Sequence, residues 1–130
     1  MKFSSELAKL DCAVALERLG GDEELLREVA GLFLDDYPRL MNEIRTAAAS
    51  RDAEALQRAA HSMKGSVSYF GSDGVYQAAF LLEKKGRAGD FESLGPCIDR
   101  LASALDNIHS ALLVLSQVES ESPVELRRAP

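Results

Sequence analysis

Apolar residues recur at helical spacing along most of this chain. Leu25, Val29, Leu32, Phe33, Tyr37, Leu40, Met41, Ile44 and Ala48 trace one stripe of a long helix. Asp22 is suited to cap it, and Glu23 and Glu24 suit its positive first turn. Pro38 falls inside the stripe and predicts a kink or break near Asp35. Ser50-Arg51 is a short link, and Asp52 caps a second helix that buries Leu56, Ala60, Met63, Val67 and Phe70 and closes at Gly71. So short a link makes these two helices antiparallel neighbours. Ser72 or Asp73 opens a third, with Val75, Ala78, Ala79 and Leu82 inward, Lys84 and Lys85 at its negative end and Gly86 as its stop. Asp90 caps the last, whose seam is Phe91, Leu94, Ile98, Leu101, Leu105, Ile108, Leu112 and Leu115. Gly95-Pro96 bends its first turn or delays its start. A shorter helix, Cys12 to Leu19, begins at Asp11 and ends at Gly20-Gly21, either as a lid on one end or as an ordinary terminal helix.

Long amphipathic helices joined by short links predict an all-α fold: an antiparallel four-helix bundle with a short additional N-terminal helix. The last seam could pair with a second copy, but the other long helices also need cover for their apolar faces, so internal packing and a monomer are expected. The bundle is placed at residues 1–115. Residues 116–130, SQVESESPVELRRAP, keep no period and read as a disordered polar tail.

Composition narrows the function. A net charge of −6 and a pI near 4.9 argue against a nucleic-acid partner. No apolar run reaches the length of a membrane span, and the start MKFSSELAKLD lacks the apolar core of a signal peptide, so no membrane partner and a cytoplasmic location are expected. Cys12 and Cys97 fit that setting as reduced thiols. The starting methionine leans toward a free-standing protein.

Candidate chemistry gathers on the second long helix. His61, Lys64, Gly65 and Ser68 share a stripe beside its buried face. A glycine inside a helix costs roughly 1 kcal/mol relative to alanine. Gly65, one turn past a histidine, therefore needs its missing side chain. Either another molecule approaches the imidazole there, or a neighbouring helix packs close. A free imidazole titrates near ~6.5, so a neutral ring nitrogen is available as a nucleophile at neutral pH. Asp35 and Asp36 have no third ligand at metal spacing and read as solvated helix residues. Asp106-Asn-Ile-His109 has the carboxylate-x-x-His spacing of bundle metal sites, but the other histidine, His61, carries Arg58 at the equivalent position, which leaves half a site.

The pattern H-x-x-K-G-S at His61, followed by Phe70-Gly71, resembles the histidine-containing phosphotransfer (HPt) domain of bacterial two-component phosphorelays. Helix order extends the likeness over roughly residues 10 to 115. The resemblance implies a phosphorelay intermediate. His61 would accept a phosphoryl group from a receiver-domain aspartate and pass it to a response-regulator aspartate, with Lys64 and Gly65 in support. Ser68 could hydrogen-bond the phosphate or the partner, and Glu83 could hold the other ring nitrogen. It implies a carrier rather than an enzyme, partnered by receiver domains and a sensor or hybrid histidine kinase. No cofactor of its own is expected, and Mg2+ belongs to the receiver. No G-x-x-x-x-G-K-[ST] loop is present. The competing reading is a non-catalytic helical adaptor.

Overall fold

The structure is a computed structural model that describes residues 10–70 and 72–118. Within them lie α1 (Cys12–Arg18), α2 (Glu23–Ser50), α3 (Ala53–Val67), a single 3-10 turn (Ser68–Phe70), α4 (Asp73–Ala88) and α5 (Leu94–Val118). The four long helices form a ring in which α2 packs on α3 and α5, and α4 packs on the same two. The fold is all-α, an antiparallel bundle with α1 across one end.

The caps follow from local chemistry. Asp11, Asp22 and Asp52 each accept a hydrogen bond from the backbone N–H three residues on, which satisfies a donor the helix itself cannot. Arg51 takes the left-handed conformation (φ 54°) that turns α2 into α3 within two residues. α1 is tied to the 3-10 turn by Asp11 N–H on the Phe70 carbonyl (2.8 Å) and Arg18 on the Ser68 carbonyl (2.9 Å).

The core contains every inward position expected on α3 and α4, and the α5 seam from Leu94 to Leu115. That seam is therefore consumed inside the bundle. Several expectations are corrected. Along the first half of α2 the buried residues are Leu26, Ala30 and Phe33, while Leu25 and Leu32 are exposed and Val29 is half-buried; Ala47, not Ala48, is buried further on. Of the kink or break expected at Pro38, the break does not occur: α2 runs through it, since losing one amide and crowding one turn is offset by burial on both sides. α3 gives way to the 3-10 turn at Ser68, before Gly71, which lies outside the described residues. Gly86 is not the stop of α4: the helix runs to Ala88 and ends on Gly89 at φ 67°. Asp90 does not cap α5: its carboxylate accepts from Glu92 N–H (2.9 Å) and Lys85 Nζ (3.2 Å), and α5 starts late, at Leu94, with Pro96 in the first turn where its missing N–H costs nothing.

Helix α5 also continues to Val118, past the expected boundary at Ser116. The lead-in at 1–9 and the tail from 119 lie outside the described residues. No described helix is long and apolar enough to cross a membrane.

Candidate phosphotransfer site

His61 sits on the outer face of α3 with its side chain 64% exposed, although Ala60 and Met63 on either side are fully buried. The helical period separates them: a 100° step per residue carries the ring clear of the core. Its Nδ1 lies 2.9 Å from Oε2 of Glu83, which comes from α4 and is buried. A carboxylate can only accept, so Nδ1 carries the proton and Nε2 keeps the lone pair, facing outward.

Burial raises the pKa of Glu83, but the Lys64 ammonium against one oxygen and the His61 N–H on the other, with their charge, outweigh it and hold the carboxyl below its usual range. Lys64 Nζ stands 2.8 Å from Oε1, and Arg87 donates to Oε2 at 3.1 Å. The Lys64 contact is an ion pair off the hydrogen-bonding angle, so Oε1 has a counter-charge without an aligned donor. The Lys64 ammonium also lies over the Phe80 ring, 4.7 Å from its centroid.

Gly65 faces open space: a Cβ there would meet nothing within 4 Å. Close helix packing occurs instead at Gly86, where a Cβ would stand 2.7 Å from the Gln57 backbone nitrogen and 2.9 Å from its Cα. The close-packing reading left open for Gly65 thus applies to Gly86 instead. Ser68 lies two turns from His61, and its hydroxyl donates to the Gly65 carbonyl at 2.7 Å. The structure therefore brings His61, Lys64 and Glu83 together with Gly65 beside them, and leaves Ser68 apart. Sequence reasoning missed Arg87. The available signal was its place one turn after Glu83, the spacing of a helix ion pair.

Elsewhere, His109 Nδ1 lies 2.8 Å from the Tyr37 hydroxyl. Among the described residues no three His, Cys, Asp or Glu side chains form a group that could hold a metal ion.

The described structure is thus a helical bundle that presents an exposed histidine, backed by a buried carboxylate and flanked by cations. The Hpt domain family matches residues 28–111, and the chain belongs to that family. Membership gives it a phosphotransfer role in two-component systems. The crystal structure of the HPT domain from the Hpt sensor hybrid histidine kinase of Shewanella superposes with a TM-score of 0.72. The two are 24% identical over 90% of this chain and 98% of that one, a likeness of fold. Among curated proteins none matches the chain.

Proposed function

We propose that the chain is a phosphorelay carrier in which His61 accepts a phosphoryl group from a receiver-domain aspartate and delivers it to a response-regulator aspartate. The observation that carries this is the His61 ring, 64% exposed, with Nδ1 fixed on Glu83 and Nε2 free. The Nε2 lone pair forms the N–P bond while the aspartyl O–P bond breaks, and its electron pair returns to the carboxylate. The ring gains positive charge with Nδ1 still protonated, and the ionised Glu83 lies against that charge. The chain uses no cofactor of its own; the magnesium ion that assists phosphoryl transfer belongs to the receiver.

The surroundings suit a protein partner. Open space at Gly65 leaves room for an in-line approach. Tyr69, one turn further, and Leu32 of α2 are 39% and 66% exposed and flank a groove lined also by Val29, Phe33 and Ser66, with Asp35 and Asp36 at its polar side. A receiver docked on this face covers that surface and reaches the imidazole.

The test is incubation with a receiver domain carrying radiolabelled phosphate. Wild type takes up acid-labile, base-stable label and His61→Gln takes up none. Equal labelling of the two proteins, or none on either, defeats the reading and leaves an adaptor bundle.

A further inference from the structure

A groove of ≈ 410 Å³ opens beside His61 on the side away from the 3-10 turn, lined by Glu54, Gln57, Arg58, His61, Glu83 and Arg87. Two guanidinium groups therefore share one concavity with the imidazole. Lys64, the cation the family motif points to, does not line it. The Lys64 side chain is 18% exposed, against 71% for Arg58 and 56% for Arg87.

We propose that Arg58, with Arg87 beside it, receives the phosphoryl group carried on His61, and that Lys64 acts indirectly, as the counter-ion of Glu83. This rests on the carrier reading above and adds the residues that contact the transferred group.

The cations differ in what each gives up on meeting a phosphoryl oxygen. Moving Lys64 to a phosphoryl oxygen would strip the buried Glu83 Oε1 of its 2.8 Å partner, and that atom has no hydrogen-bond donor to replace it. Arg87 and His61 would remain on Oε2, but Oε1 would be buried with neither counter-charge nor donor, which is unfavourable. Arg58 gives up little: its partner is Glu54 at 3.9 Å, and both side chains are mostly exposed. Such a surface pair contributes almost nothing to stability and exchanges readily. Arg87 uses one terminal nitrogen on Glu83, which leaves the other donors of its fork for an oxygen in the groove. The planar fork also matches a phosphoryl group in a bidentate way that an ammonium cannot. The step needs no further reactant. Nε2 gains the N–P bond, the donor oxygen leaves with its electron pair, and Nδ1 keeps its proton.

The test uses the whole chain in a His109→Gln background, loaded with a phosphoramidate donor so that no receiver is involved. Phosphorus NMR follows the titration of the phosphoryl group on His61. Glu83, Lys64 and Arg87 face it equally in wild type and in the Arg58 variants, while Glu54 loses its ion-pair partner in Arg58→Ala and keeps a cation opposite it in Arg58→Lys. Arg58→Ala is expected to tighten proton binding by the phosphoryl group roughly fivefold, with Arg58→Lys recovering part of the difference. An Arg58→Ala curve that coincides with wild type overturns the assignment, as does a larger displacement from Lys64→Met. Failure of uptake from a receiver would strike the carrier reading alone, because loading here is chemical.

Discussion

At Gly65 a methyl group would touch nothing, so the conformational penalty of glycine is accepted without any packing return. Gly65→Ala is therefore expected to stabilise the fold by up to about 1 kcal/mol, a rise in Tm of a few degrees by calorimetry. Gly65→Gln, which fills the approach to His61, is expected to fold normally and to slow transfer from a receiver; unchanged transfer would show that the gap serves no incoming partner. Glu83 carries the second prediction at this scale. Glu83→Gln keeps the shape but removes the charge that steadies the Nδ1 proton, leaving Lys64 and Arg87 without their carboxylate. Because a charge-assisted hydrogen bond exceeds a neutral one by on the order of 1 kcal/mol, rapid-quench measurement should show transfer slowed about fivefold. The histidine, the lysine and Gly65 were legible because they lie on one helix at fixed spacing. Arg87, on α4, was not. Its convergence with His61 depends on how α3 and α4 face each other, and a linear pattern does not encode that facing.

Helix α2 and Gly86 show the same limit one level up. On α2 the apolar residues come in runs, Leu25-Leu26, Val29-Ala30 and Leu32-Phe33, and two registers satisfy the helical period equally. The bundle selects Leu26, Ala30 and Phe33, which leaves Leu32 at 66% exposure on the face proposed to meet a receiver. An apolar residue beyond the core stripe is thus a residue of the surface, and periodicity alone could not assign it. On α3 and the 3-10 turn after it the large apolar residues Leu56, Met63, Val67 and Phe70 stand apart and fix one register, and sequence and structure agree; they agree on α4 as well, despite the run Ala78 to Leu82. Gly86 looked like a stop because basic residues precede it, and the true stop stands three residues on at Gly89. Its role comes from the neighbour: a Cβ would press on the Gln57 backbone and also stand 3.1 Å from the Ala53 carbonyl oxygen. Backbone cannot yield as a side chain can, so α3 and α4 must part. Gly86→Ala should destabilise by about 1–3 kcal/mol, less whatever helix propensity returns, as read from the urea midpoint. Because that separation also draws Glu83 from His61, transfer should fall with it.

Across the whole molecule, the buried charge at the site couples transfer chemistry to stability in acid. The Glu83 carboxyl is held below its usual value of 4.5 in the folded chain, despite burial, by Lys64 and His61. Asp90 is likewise depressed, by the Glu92 N–H and by Lys85. For a carboxyl whose folded pKa lies below its unfolded one, the unfolded chain binds more protons between the two values. Stability therefore rises with pH across that window and is lost as pH falls through the folded pKa. The contribution is complete above about 4.5 and fades below it, so the unfolding midpoint should drop as the solution is acidified from pH 5 toward pH 3. His61→Gln should leave the neutral-pH midpoint close to wild type, because its ring is mostly exposed. Glu83→Gln should lower the midpoint at pH 7, where it leaves two cations without their carboxylate, and should converge on wild type in acid, where Glu83 itself becomes neutral. Parallel curves for wild type and Glu83→Gln from pH 3 to pH 7 would mean that this carboxylate does not link the exposed histidine to the stability of the bundle.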